Sequence, residues 1–281
     1  MGGMQVFKKS FLLIVFSLAF LFVVSSVPTF ANENDLSAPL TEEEINQLIE
    51  DVGMSEDIID SFSNELLREV LESEATVINE TTEIVKINEP EIIGGIRIIR
   101  PMQGGDLNEK KVKITGVALK RGIKTSGTWK GYREIHFIGG FEWLTAPVNF
   151  FTDGLAVGWG NSGIIVPTSN GKVDAFKGRY YRWGTNKAWN LYSSTSTPSS
   201  FDPKGGVGFK IDLRGGLMLH KGEISQLAYS RLASVDTNVK FSYGHKQFVG
   251  FGVSFGKDSG TFSVTPRANI VTGWAADTLR W

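Results

Sequence analysis

Residues 248–265 read FVGFGVSFGKDSGTFSVT, with large apolar side chains alternating with glycine and serine on either side of a turn signal. If Lys257–Gly260 form a four-residue hairpin loop, Gly256 faces Thr261, and the two-residue period of a strand fixes every later pair. Phe255 then meets Phe262 and Val253 meets Val264, while Ser254 meets Ser263 and Gly252 meets Thr265. Both arms sort into one apolar and one small, polar face, which a wrong register would not do. Phe251, Val253 and Phe255 thus read as one wall of a core. The second arm runs only from Thr261 to Thr265 before Pro266, short of the ~9 to 11 residues of a transmembrane strand.

Upstream, odd positions carry Phe241, Tyr243, Val249 and Phe251, whereas even positions carry Ser242, Gly244, Gly250 and Gly252. His245 and Gln247 fall on the apolar face, where an unpaired polar group is costly. His245 therefore reads as a core histidine with a hydrogen-bond partner or as a residue at a strand end, with a titrating pocket group as the functional alternative. Of the 32 glycines, 25 lie in residues 108–281, between aromatic and β-branched runs separated by turn signals such as TSNGK and TPSSFDPKGG. That pattern predicts a mainly β protein, an antiparallel β-sandwich with a β-barrel as the alternative, preceded by a short acidic helical hairpin.

The first 31 residues have the zones of a secretory signal: Lys8 and Lys9, an apolar run from Phe11 to Val27, and Thr29 and Ala31 at small-residue cleavage positions. Cleavage is expected after Ala31, giving a secreted protein, cell-envelope associated in one version, with an uncleaved N-terminal membrane anchor as the alternative. The absence of cysteine excludes disulfides, thiolate zinc sites and a cysteine nucleophile. It fits a Gram-positive secretory route.

A net charge of −1 hides a strong separation. Residues 32–76 carry fourteen acidic residues and one basic residue, Arg68; residues 108–281 carry eleven acidic and twenty-three basic. In the acidic segment Thr41 and Glu44 make a capping box, with Leu40 and Ile45 as the hydrophobic staple. Ile45, Leu48, Ile49 and Val52 follow at helical spacing up to Gly53. A second helix is expected from Ser55, with one stripe of Ile58, Ile59, Phe62, Leu66, Leu67, Val70 and Leu71. The pair needs a partner surface, and residues 32–76 are expected to contact the basic region, as a shield or pro-segment. Residues 77–107 read as a linker with short strands, and residues 108–281 as the β domain.

No motif for a serine hydrolase elbow, zinc protease, phosphate loop or calcium loop is present. His136 and Glu134 share a strand face at the spacing of a metal or acid–base pair, but no third ligand is visible. His220 carries no separate role. Asp153, Asp174 and Glu142 are candidate glycosidase carboxylates, since that chemistry needs two acids at a set distance. The densest unusual stretch is FKGRYYRW at 176–183, followed by Lys187 and Trp189. On an extended strand Lys177, Arg179, Tyr181 and Trp183 share one face and Phe176, Tyr180 and Arg182 the other. Cations supply salt-sensitive attraction and rings stack on sugars or sit at an interface. The competing structural reading puts the rings in the core with basic stems along their edges.

FEWLTAPVNFFTDGLAVGW, the YGHKQ segment and the acidic helical leader resemble uncharacterised secreted proteins of Bacillus-like Gram-positive bacteria; the resemblance implies an extracellular setting and no site residues. The combined expectation is a non-enzymatic protein that binds an anionic cell-wall polymer or membrane surface through Lys177, Arg179, Tyr181, Arg182, Trp183 and Trp189, and acts as an envelope factor or as an antimicrobial or toxin-like effector. No cofactor, metal or nucleic-acid partner is expected. The alternatives are an extracellular hydrolase acting on envelope carbohydrate, and a structural matrix or surface protein.

Overall fold

The structure, a computed structural model, describes residues 38–88, 91–93, 96–98, 109–147, 152–160, 163–213, 218–234, 236–246, 253–255, 262–264 and 270–280. The signal-like segment, Gln247 and the loop 257–260 lie outside these residues.

Helix α1 (Glu42–Gln47) opens on its capping box, with Thr41 N donating to Glu44 Oε2 at 2.8 Å and Glu44 N to Thr41 Oγ1 at 3.1 Å. It runs on as a π-helical turn, Leu48–Val52, and stops at Gly53, whose φ of 84° is the left-handed conformation that glycine adopts without a Cβ penalty. The expected single second helix is instead two: α2 (Glu56–Ile59), and α3 (Asn64–Leu71), which starts afresh from the N-cap Ser63. Side-chain bonds compete with helix continuation here. Ser61 Oγ donates to Asp57 O at 2.7 Å, and Ser63 donates from both N and Oγ to Glu223 across the sheet. The apolar stripe survives the break, and Leu48, Ile58, Phe62, Leu66, Leu67 and Val70 are buried against Val117, Leu119 and Ile138.

The first strands are β1 (Thr76–Asn88), β2 (Glu91–Ile93), β3 (Ile96–Ile98), β4 (Glu109–Ile123), β5 (Arg133–Trp143) and β6 (Thr152–Trp159). Next come β7 (Ile164–Ile165), β8 (Thr168–Ser169), β9 (Lys172–Val173), β10 (Phe176–Trp183), β11 (Trp189–Thr195) and β12 (Ser200–Asp202). The last are β13 (Gly206–Asp212), β14 (His220–Ser230), β15 (Asp236–Lys246), β16 (Val253–Phe255), β17 (Phe262–Val264) and β18 (Ile270–Arg280). Among the described residues a larger antiparallel sheet runs β1-β4-β5-β14-β10-β11, with β7 also on β14, and a smaller one runs β12-β13-β6-β15-β18. The fold is mainly β, an open antiparallel sandwich and not a closed barrel.

Hairpin β16–β17 has the expected register: Val253 opposite Val264, Ser254 opposite Ser263, Phe255 opposite Phe262. The segment expected to be a linker is partly a sheet edge, since β1 pairs with β4 along its whole length. Its composition hides this because the strand is buried unevenly: Ile87 is fully buried whereas Ile84 is exposed.

The sheets close on each other where one supplies glycine and the other an aromatic ring. Gly116 of β4 pairs with Gly139 of β5, and the Phe241 ring from β15 lies over both. Gly178 of β10 similarly receives Phe209 from β13. Phe137 stacks on Trp159 at 4.7 Å and Phe141 on Tyr243 at 4.3 Å, bridging the same gap. A Cβ on Gly139 would stand 2.7 Å from the Phe241 ring. Gly139→Ala is therefore expected to destabilise by about 1–3 kcal/mol through overpacking, read from the urea midpoint. An unchanged midpoint would show that the ring has room to move.

Candidate functional site

Strand β10 carries five of the six singled-out residues, which its two-residue period divides, and Trp189 opens β11 beside it. Lys177, Arg179, Tyr181 and Trp183 point to the outer face of the larger sheet, beneath or beside the acidic helices. Arg182 lies on the other face, with its guanidinium 4.8 Å from the Tyr192 ring centroid.

The cationic half of the strip is engaged. Arg179 is buried, with Nη2 donating to Glu65 Oε1 at 2.8 Å and Glu69 Oε1 at 2.6 Å, and Nη1 donating to Glu223 Oε1 at 3.2 Å. Lys177 Nζ donates to the same Glu69 oxygen at 2.7 Å. Glu65 and Glu69 stand one turn apart on α3, so one helix face presents both carboxylates to one strand. Tyr181 is buried too, its hydroxyl donating to Glu223 Oε1 at 3.0 Å. Burial and the adjacent Glu223 charge push the Tyr181 phenol well above its ordinary range.

The aromatic half is open. Trp183 is 37% exposed, Leu191 52% and Tyr192 47%. Trp183 and Trp189 are directly opposite across the hairpin and meet edge to face at 5.3 Å. A bulge between the Tyr180–Ser193 and Tyr181–Leu191 pairs leaves Tyr192 unpaired in the ladder. Sequence alternation across the turn is thereby broken, which is why Leu191 and Tyr192 escaped notice beside Trp183 and Trp189. At the other end of the hairpin Glu65, Lys177, Arg179, Ser194, Thr195 and Ser196 line a cleft of about 470 Å³. The outer face of β10–β11 thus grades from a charged, hydroxyl-rich cleft to a pair of indoles.

The other candidates have separate roles. His136 Nε2 is 2.7 Å from Ser225 Oγ, the spacing of a base and a nucleophile, and both line a cleft of about 270 Å³ with Arg121 and Lys177. Burial, with Arg121 and Lys177 nearby, lowers the His136 pKa to about 3, and its Nδ1 has no partner among the described residues. An imidazole without an orienting carboxylate and with so low a basicity is a poor general base. Glu134 pairs instead with Arg121 at 3.0 Å and Lys124 at 3.1 Å and accepts from the Tyr229 hydroxyl at 2.8 Å. No group of three or more His, Asp or Glu able to hold a metal occurs among the described residues.

His245 is a core histidine with a partner: its Nδ1 is 3.0 Å from Asp153 Oδ1, and both side chains are fully buried. Tyr243 donates to the same carboxylate and accepts from Trp143 Nε1 at 2.7 Å. Asp153 is therefore withdrawn from any surface cleft, unlike a glycosidase carboxylate. Asp174 accepts from Ser169 Oγ at 2.5 Å. His220 Nδ1 lies 2.7 Å from the Tyr180 hydroxyl.

No protein-family model and no curated protein matches the chain. Among solved structures it is similar to Clostridium perfringens delta-toxin, at 5% identity over 73% of this chain and 93% of that one, with a TM-score of 0.24. A pore forming protein matches at 8% identity, covering 74% and 96%, with a TM-score of 0.25. AvmM, which catalyses macrocyclization in alchivemycin A biosynthesis, matches at 12% identity, covering 68% and 95%, with a TM-score of 0.24. Likenesses at this level carry no argument about activity. No helix among the described residues is long and apolar enough to cross a membrane, which leaves strands aside.

Proposed function

We propose that the chain is a secreted, non-enzymatic protein that binds an anionic cell-envelope polymer along the outer face of β10–β11. The observation that carries this reading is the continuity of the exposed Trp183, and the half-buried Trp189 against it, with a cleft of hydroxyl and charged groups on the same hairpin face. Rings of this kind stack on sugar or polyol units, and the exposed Lys187 at the same end supplies attraction to the polymer charge. Residues 38–75 serve as a partial cover, because Glu65 and Glu69 neutralise Lys177 and Arg179 where a polyanion would otherwise compete.

The test is co-sedimentation of the purified protein with isolated cell wall across a salt series. Trp183→Ala with Trp189→Ala is expected to weaken binding about tenfold or more, at about 1 kcal/mol per ring contact, with an unchanged melting temperature. Glu65→Gln with Glu69→Gln is expected to strengthen it, because it removes the internal competitor for the cations. Wall binding that ignores both salt and the tryptophans would sink the reading.

A further inference from the structure

The opposite end of β14 bears a second cluster that shares no residue with β10–β11. The β4–β5 connection, TSGTWKGY at 125–132, is tightly built: Lys124 N donates to Tyr132 O and Gly131 N to Lys124 O, each at 2.8 Å. Three glycines with positive φ, Gly122, Gly127 and Gly131, allow the chain to turn this sharply, and open space surrounds each of them. Trp129 stacks on Tyr229 of β14 at 4.8 Å and 5°, and Tyr132 meets Trp129 edge on at 5.1 Å. Arg231, just beyond β14, places its guanidinium 4.6 Å from the Tyr132 ring centroid.

A stack of this kind would suffice to close the end of a sheet, but it does not account for what surrounds it. Ile123 and Leu232 are about half exposed, and Arg133 links them, opposite Ile123 in the ladder and donating from Nε to Leu232 O at 3.2 Å. Lys120, Arg121, Lys124, Lys130, Arg133 and Arg231 share this end. The nearby acids are fewer: Glu134 is held by Arg121 and Lys124, Asp174 lies near Tyr229, and Asp236 heads β15 opposite Arg280. Exposed aliphatic tips, half-buried tryptophan and tyrosine, and excess cations at one rigid end together match the chemistry of a lipid–water interface. The aliphatics enter the acyl boundary, the rings sit at headgroup level, and the cations meet anionic headgroups.

We infer that this end of the larger sheet, formed by the β4–β5 connection and by Arg231 and Leu232 just beyond β14, docks on the surface of an anionic lipid bilayer, with Ile123 and Leu232 inserted and Lys130, Arg133 and Arg231 on the headgroups. The site stands independently of the envelope-polymer reading, and the experiment separates the two. The full chain without its first 31 residues is mixed with phosphatidylglycerol-containing vesicles, with pure phosphatidylcholine vesicles and with isolated cell wall.

Binding to the anionic vesicles alone among the lipids is expected, weakened about tenfold or more by Lys130→Glu with Arg231→Glu, since each cation near such a surface contributes appreciably. Ile123→Ser with Leu232→Ser should also release the vesicles, while the melting temperature and wall binding stay as in the parent. Trp183→Ala with Trp189→Ala should leave vesicle binding intact. Absence of vesicle binding by the parent overturns the inference, as does binding unaffected by both double variants. If Ile123→Ser with Leu232→Ser abolishes wall binding while vesicle binding persists, the end belongs to the polymer site and the inference is likewise overturned.

Discussion

Glu223→Ala is expected to destabilise the protein by about 3–5 kcal/mol, because it removes one member of a buried, hydrogen-bonded charge cluster and leaves the others unpaired. The carboxylate is 1% exposed and accepts four hydrogen bonds: from Ser63 Oγ at 2.6 Å, Ser63 N at 3.0 Å, the Tyr181 hydroxyl at 3.0 Å and Arg179 Nη1 at 3.2 Å. Arg179 retains Glu65 and Glu69, so its charge stays partly compensated. The Tyr181 hydroxyl and the Ser63 amide lose the partner that made their burial tolerable. Glu223→Gln keeps the shape and part of the bonding and should lose less. The check is a urea titration of parent and both variants, together with limited proteolysis of residues 38–75. A loss below about 1 kcal/mol for the alanine variant would show the cluster to be incidental. A loss without faster cleavage would place the damage in the sheet alone.

The same cluster explains what the separation of charge does in the folded molecule. α3 meets the larger sheet with an apolar side, Leu66, Leu67 and Val70, and with an acidic side, Glu65 and Glu69 over Arg179 and Lys177. Apolar burial supplies attraction without direction, whereas a guanidinium shared among three carboxylates fixes where the helix lies. At the far end of the acidic segment Glu44 is held to Arg68 Nε at 2.7 Å, which lowers its pKa to about 2 and ties α1 to α3. Glu44, Glu65 and Glu69 are therefore built into the helical cover, whereas Glu42, Glu43, Glu50, Asp51, Glu56, Asp57, Asp60, Glu72 and Glu74 form an exposed acidic surface.

The sandwich was legible because strand period and turn chemistry are local. KDSG set a register for β16–β17 that the ladder reproduces pair for pair. The capping box and Gly53 marked the first helix for the same reason. The break at residues 60–63 was not legible, since it depends on Glu223, 160 residues further along the chain. β1 was expected only as a short strand within a linker, because its outward positions are indistinguishable from those of a linker. FKGRYYRW announced a face, yet which cations were already paired depended on Glu65 and Glu69, whose i,i+4 spacing reads equally well as a solvated helix side. The Trp129–Tyr132–Tyr229 stack gave no signal, because Tyr229 lies 97 residues beyond Tyr132 and only the pairing of β14 with β5 brings them together.

Stability is expected to fall by about 4 kcal/mol between about pH 7 and about pH 5, with two buried histidines contributing about 2 kcal/mol each. Burial, with Arg121 and Lys177 nearby, lowers His136 to about 3; burial, with Arg182 and His245 nearby, lowers His220 to about 4. Both are neutral in the native protein, while the unfolded chain takes up a proton at the ordinary imidazole value of about 6.5. The unfolded state thus binds more protons over this window. The stabilisation is fully present above pH 6.5 and is lost as the pH falls toward the folded-state values. Glu44 titrates lower, between its ordinary value of 4.5 and about 2, and leaves the upper window to the imidazoles. Urea titrations at intervals across the range provide the measurement, and His136→Asn and His220→Phe should each flatten the dependence by about half. A stability that is level from about pH 7 to about pH 5 would mean that protons reach neither imidazole at any greater cost in the fold than in the open chain. With the expected slope, a native ensemble secure near neutrality has little margin at about pH 4, given that domains of this kind hold about 5–15 kcal/mol in all. The larger sheet should then be the first to loosen, since His136 and His220 both sit on its strands, β5 and β14, and α3 rests on the same surface.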